Sequence, residues 1–422
     1  MTSFPGSGLP DASGLQRLRW ITLALPLLLG GACLAQDGTP QPPLTVSSDF
    51  PGGSVQIESI DQTQRAIHAL PAHHQDRGWT CWWYFQVDGI APGEALTLDM
   101  GGGVWATPNQ AFYSMDRKHW IQLSPGKRSG KDRIVYQQKI DSSTAWFAWG
   151  PPFLPDDAVA LVKSAVAACP AATEFELCKT RAGRSTPALR IREPGLPDKD
   201  RSGIWIQARQ HAWETGSSWV CAGLVHWLIS DAPEAVKLRR SADIVIVPIM
   251  DIDNVTIGAG GKNEVPQDHN RDWTDHPHWR AVEAAQHGIL EMDEQVGFDL
   301  FIDLHNPSAG DRAPYFYVPP GELLKEEGKL ALQRFVETAK QEMTGLLAYQ
   351  GKVLESGRSY DPNWAAISKN WVMQKCRPGV VSVTLETAWN TPESHQAGYE
   401  HVGAGLGRTI SRLYSQDAPT AP

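Results

Sequence analysis

Ile204-Trp-Ile-Gln-Ala-Arg-Gln-His211-Ala-Trp-Glu214-Thr-Gly-Ser-Ser-Trp219 joins a short apolar run to a His-x-x-Glu pair and then to small, helix-compatible residues. The apolar half reads as a buried strand over Ile204–Ala208, and a helix follows from Gly216 to Ser230. His211 and Glu214 fall in the turn between them, where an imidazole and a carboxylate can face one centre. Outward from this stretch the same alternation recurs. Ile244–Ile249, Val296–Leu304 and Val380–Leu385 read as core strands, and Asp156–Ala168, Trp279–Asp293 and Leu323–Tyr349 as helices, with Asp156 or Asp157 as the first cap. Strands and helices in this order predict an α/β domain over residues 156–415, with a mixed central sheet flanked by helices.

Upstream the pattern changes. Leu44–Ser47, Ser54–Ile60, Trp79–Val87, Ala95–Met100, Ile134–Ile140 and Thr144–Trp149 are short alternating runs separated by turn residues. They predict an all-β sandwich domain over residues 40–152, with its aromatic residues in the core. Pro151-Pro-Phe-Leu-Pro155 reads as the linker, and the last seven residues, ending in Pro422, as a tail.

The chain has 422 residues, 41% hydrophobic and 20% charged, with a formal net charge of -9. That excludes a disulfide-held miniature and gives no general electrostatic reason to bind nucleic acid or an anionic membrane. Arg17 and Arg19 precede the apolar run Trp20–Leu29, and Cys33-Leu-Ala35 follows it. This is the layout of an export signal over residues 1–35, directing the protein to the periplasm or outside the cell. The run is too short for a stable membrane span. Cys33 offers a second reading, attachment of a lipid anchor. Five cysteines follow Ala35, of which Cys169 and Cys178 could close a local disulfide; the other reading is a few buried thiols.

His305 ends the aspartate-rich strand. Two imidazoles and one carboxylate leave a fourth position open, the arrangement expected of a catalytic zinc ion. Within Ala208–Trp219 the pair closely resembles the first zinc-ligand motif of zinc metallocarboxypeptidases, nearest to the cytosolic carboxypeptidase branch. Pro248–Val255, Asp268-His-Asn-Arg-Asp-Trp273, Phe301–His305 and Leu385-Glu-Thr387 resemble the later motifs in order, and the β-rich region resembles the domain that precedes the peptidase in that branch.

The resemblance implies one zinc ion held by His211, Glu214 and His305, with Asp268 supporting the first histidine. It implies Asn270 and Arg271 as receptors for the terminal carboxylate of a peptide substrate, and Glu386 as general base and acid. Three departures stand out. Trp213 and Ala212 occupy the ligand turn where the family often has glycine and proline. Lys262 is the nearest cation where an oxyanion-stabilising arginine is expected. Ile367–Met373 replaces a segment in which glutamate-directed members carry arginine, leaving Lys369 or Lys375 to meet an acidic side chain and Trp371 an apolar one. Tyr349, Tyr360 and Trp389 are aromatic lid candidates or ordinary packing. The reading is therefore a zinc carboxypeptidase, with a zinc amidase or deacylase, or a peptide-binding protein of little turnover, as alternatives.

Overall fold

The computed structural model describes residues 41–102, 107–194, 196–307 and 311–415. The expected export signal and the tail from residue 416 lie outside the described residues. From residue 41 onward the described chain forms one compact unit.

Ten short strands build the N-terminal part: β1 Thr45–Ser47, β2 Gln56–Asp61, β3 Ala66–Leu70, β4 Tyr84–Asp88, β5 Glu94–Met100, β6 Phe112–Ser114, β7 Ile121–Gln122, β8 Lys127–Ser129, β9 Arg133–Ile140 and β10 Thr144–Ala148. They form two five-stranded sheets, β1-β4-β10-β6-β7 and β2-β3-β5-β9-β8. Inward residues of both, among them Ile67, Phe85, Leu98, Tyr136 and Phe147, share one core, as alternating faces require.

The expected strand over Trp79–Val87 is shorter than its aromatic content suggested, because only Tyr84–Asp88 pairs in a ladder. The preceding residues spend their bonds elsewhere. Trp79 N donates to Lys262 O at 2.9 Å and Trp82 Nε1 to Gly52 O at 2.9 Å. The Trp79 bond stitches the sandwich to the α/β part. The proline-rich linker is likewise no free spacer, since Pro151, Pro152 and Phe153 are buried.

The second part contains α1 Pro155–Ala168, β11 Ala172–Lys179, β12 Ser185–Ile191, β13 Ser202–Ala208, α2 Thr215–Leu228, α3 Pro233–Ser241, β14 Ala242–Val247, α4 Ile252–Ile257, α5 Arg280–Gln295, β15 Phe298–His305, β16 Tyr315–Val318, α6 Glu326–Glu342, β17 Val353–Glu355, α7 Ser368–Lys375, β18 Val381–Glu386 and α8 Gln396–Tyr414. Its eight-stranded sheet runs β11-β12-β14-β13-β15-β18-β16-β17. The central neighbours β14, β13, β15 and β18 are parallel, and β12 and β16 join them antiparallel. The mixed sheet is as expected. Strands β13, β14 and β18 are buried throughout, and β15 at all but Asp299, because helices cover both faces.

Several expectations are corrected. The helix expected over Leu323–Tyr349 spans only Glu326–Glu342. Helix α1 begins at Pro155, and Asp157 caps it by accepting from Leu154 N at 2.7 Å. The disulfide alternative does not form: Cys169 and Cys178 are free thiols, as are Cys81, Cys221 and Cys376. Helix α8 was not foreseen, since its glycines disfavour a helix. Packing reverses that preference, because Gly403 lets α8 rest on α2; a methyl group there would come within 2.1 Å of Val220 O.

Candidate metal centre and substrate clamp

The carboxyl ends of β14, β13, β15 and β18 point to one side, where ligand sites of open α/β sheets form. Past the end of β13 the chain turns sharply, with Arg209 at a positive φ of 66°. Arg209 is fully buried and donates to Ala212 O at 2.7 Å, Phe153 O at 3.2 Å and Ser218 Oγ at 3.3 Å. It braces the turn that presents His211 and Glu214, and sequence reasoning missed it. Trp213 does not take a left-handed conformation, so glycine's freedom is not needed there. Its ring instead packs between Trp149 at 5.1 Å and Trp79 at 6.1 Å, tying the ligand turn to the sandwich core. Trp389 joins this cluster, 4.6 Å from Trp149, and Tyr349 packs 4.9 Å from Phe316, so both are packing residues.

His211, Glu214 and His305 come together as expected. His211 Nδ1 lies 2.8 Å from Glu214 Oε1 and His305 Nδ1 lies 2.8 Å from Glu214 Oε2. The two rings stand 4.8 Å apart. Their other nitrogens face carboxylates, His211 Nε2 at 3.4 Å from Asp268 Oδ1 and His305 Nε2 at 3.0 Å from Asp303 Oδ2. For His305 that hydrogen bond fixes ring orientation and leaves Nδ1 as the electron-pair donor toward a metal, whereas His211 Nε2 and Asp268 Oδ1 are close without being hydrogen-bonded. The donor set therefore fits zinc, with two nitrogens and one carboxylate around a common point. Asp303 and Asn306 were not singled out from sequence. Asn306 N donates to Glu214 Oε2 at 3.1 Å, and Asp303 also accepts from Ser368 Oγ at 2.7 Å.

Burial alone would raise the Glu214 pKa, but His211 and His305 hold its carboxyl well below the usual range. His305 shows the converse: burial favours its neutral form, yet Asp303 and Glu214 raise its pKa well above the ordinary value.

Glu386 ends β18 in register with His305 at the end of β15. It is buried, and its Oε2 has no hydrogen-bond partner among the described residues. Burial is the main reason its pKa is pushed up to about 8; His305 opposes the shift and Glu214 adds to it.

The expected carboxylate receptors lie on a tight turn over His269–Arg271. Arg271 Nε donates to Asp361 Oδ2 at 2.8 Å, and its guanidinium lies 5.9 Å from the Tyr360 ring centre. Asn270 Nδ2 lies 3.2 Å from His305 Nε2, and its Oδ1 accepts from Ser368 N at 3.0 Å. Lys262 Nζ donates to Asp268 Oδ2 at 2.7 Å and to Asn263 Oδ1 at 3.0 Å. Its ammonium stands behind His211, so an oxyanion role requires it to leave Asp268.

The two lysines left open by the sequence separate. Lys375 is exposed and paired with Asp275 at 2.8 Å. Lys369 is buried, 5.7 Å from the Tyr317 ring centre. Desolvation lowers its pKa to about 7, Glu386 and Asp303 oppose that shift, and Arg271 adds to it. Trp371 is buried among Trp273 and its neighbours. A cavity of about 550 Å³ beside α5, bounded by Phe175, Arg190, Trp205 and Met292, contains none of these site residues.

This fold and donor set define a metallocarboxypeptidase-like centre behind an all-β domain. Residues 158–300 match the family model described as zinc carboxypeptidase, and residues 46–149 the one described as cytosolic carboxypeptidase N-terminal domain. Over these two stretches the chain matches the zinc carboxypeptidase family, a class of peptide hydrolases, and the N-terminal domain of its cytosolic branch. Human cytosolic carboxypeptidase 6 is 32% identical over 120 residues, which are 26% of this chain and 24% of that protein. An uncharacterised protein of Zymomonas mobilis is 26% identical over 63% of this chain and 68% of its own length. The chain thus spans about a quarter of the human relative and about two thirds of the bacterial one. The fold is shared with a metallo-carboxypeptidase from Burkholderia cenocepacia, at a TM-score of 0.74 and 23% identity, covering 88% of this chain and 98% of that one.

Proposed function

We propose that this protein is a zinc-dependent carboxypeptidase that hydrolyses the C-terminal peptide bond of peptides. The observation that carries this reading is Glu386, whose unpartnered carboxylate oxygen ends the strand beside His305 and the three-ligand set. Zinc, when held by His211, Glu214 and His305, supplies Lewis acidity to a water molecule and to the scissile carbonyl. Glu386 takes the water's proton and returns it to the departing amine. Arg271 meets the substrate's terminal carboxylate through its planar donor fork. Asp361 and Tyr360 hold that guanidinium in place. Lys369, buried beside Glu386 with no carboxylate hydrogen-bonded to its ammonium among the described residues, favours substrates whose last side chain is acidic.

The test is product identification by mass spectrometry after incubation with a diverse peptide library. Loss of single C-terminal residues is expected, abolished by chelation. Glu386→Gln should retain the metal and lose roughly 10²- to 10⁴-fold in kcat, the usual worth of a general acid–base group. A native protein with bound zinc that releases no residue from any peptide would contradict the reading. Export by residues 1–35 is part of the proposal and is checked by the N-terminus of the mature protein. Gln36 is expected there, whereas a retained Met1 would contradict it.

A further inference from the structure

A second cluster of buried ionisable groups lies behind the clamp and takes no part in the chemistry above. Asp251, Glu264 and His269 are buried, with their polar atoms within 4.8 Å of one another. They come from the cap of α4, the loop before the clamp and the clamp turn itself. His269 Nδ1 donates to Glu264 Oε1 at 3.0 Å and lies 3.9 Å from Asp251 Oδ2. Asn254 Nδ2 donates to Asp251 Oδ2 and to Glu264 Oε2, both at 2.7 Å, and Asn254 N reaches Asp251 Oδ1 at 3.2 Å.

Every carboxylate oxygen of Asp251 and Glu264 therefore has a donor. The carboxylates are thus satisfied within the cluster, with Asn254 Oδ1 left as its unpartnered buried atom among the described residues, and the cluster acts as a clasp, since paired buried polar groups rigidify a structure. Burial disfavours the His269 cation, but Asp251 and Glu264 outweigh it and raise the pKa to about 9. The His269 ring also stacks on Trp279, with centroids 4.8 Å apart and planes 6° apart.

Four consecutive side chains leave this turn toward four destinations. Asp268 faces His211, His269 enters the clasp, Asn270 faces His305, and Arg271 reaches Asp361. The preceding loop is pressed into the same place: a methyl group on Gly261, at φ 78°, would lie 2.5 Å from Asp251 Oδ2 and 2.8 Å from Ala212 N. A residue that holds His269 thus holds the direction in which Arg271 is presented.

We propose that Glu264 and His269 are positioning residues for the substrate clamp, fixing the Arg271 guanidinium at the angle needed to receive a terminal carboxylate. The inference rests on the carboxypeptidase reading and on Arg271 as the carboxylate receptor. Small misplacements of such a group are costly in rate and affinity.

The experiment compares Glu264→Ala and His269→Gln with Arg271→Gln, on matched peptides ending in a free carboxylate or an amide, with zinc content and thermal midpoint measured alongside. Expected for Glu264→Ala is a KM for the free-carboxylate peptide raised roughly tenfold, with kcat and zinc content little changed and the preference over the amide reduced. His269→Gln, which keeps a donor for Glu264, should restore much of that preference and serves if Glu264→Ala does not fold. If Arg271→Gln raises KM and both clasp variants keep the native preference, the positioning inference is wrong while the clamp reading stands. If Arg271→Gln changes nothing, the clamp reading itself fails. A second zinc ion per chain that is lost in Glu264→Ala would make the cluster a metal site and overturn the inference.

Discussion

The two halves of the site are built on opposite principles. The metal half stands at the ends of parallel strands, where His305 and Glu386 are neighbours in register and the ladder hydrogen bonds set their separation. The proposed clamp half stands on the loop from Asp251 to Arg271, which contains one short helix and one tight turn and is held by scattered backbone bonds, such as Gly261 N to Arg77 O and Val265 N to Asp76 O at 2.9 Å each, together with buried side chains. Its side-chain contacts come from Asn254, Glu264 and His269 within the loop and from Asp361 outside it. A strand end tolerates changes in its surroundings because the backbone ladder persists. A loop held by buried polar contacts depends on each of them, since removing one partner strands the other.

That contrast is sharpened first by Arg271→Gln. Loss of charge-assisted hydrogen bonds worth about 1.5–3 kcal/mol should lower kcat/KM on free-carboxylate peptides by roughly 10- to 150-fold, mostly through KM. Zinc content should stay at the native level, and an equal loss on amidated peptides would place Arg271 outside the clamp. Asp268→Asn crosses between the halves, because it sits on the clamp loop yet faces His211. It should cost about 10- to 100-fold in zinc affinity or activity, as outer partners of metal ligands do. Unchanged zinc affinity in a competition titration, with full activity, would separate Asp268 from the metal half.

Lys369 gives a smaller effect with a definite sign. Its pKa is lowered to about 7, so the ammonium is present below that pH and lost above it. Preference for a C-terminal glutamate over glutamine, measured as a ratio of kcat/KM, should therefore fall as pH rises from 6 to 8, where about one tenth of the cation remains. A ratio constant across that range would remove Lys369 from substrate selection.

The same contrast explains what the sequence disclosed. Strand-borne parts were legible because hydrophobic runs over Ile204–Ala208, Val296–Leu304 and Val380–Leu385 end directly at or just before His211, His305 and Glu386. The HxxE spacing did the rest for Glu214. The clasp was not legible, since Asp251, Glu264 and His269 follow no spacing rule and only the fold brings them together. Trp213 looked like a disturbance of the ligand turn because its partners Trp79 and Trp149 are far away in sequence. Helix α8 was hidden by glycines whose value lies in close approach to α2. Lys369 and Lys375 were equivalent as charges in a segment, and burial alone told them apart.

The central claim is that one zinc ion is held by His211, Glu214 and His305. Elemental analysis of the purified chain beside His305→Ala, at equal folded concentration, tests it most directly. The account requires one zinc per native chain and loss of that zinc from the variant; a native chain without zinc, or a variant that keeps it undiminished, would contradict the account.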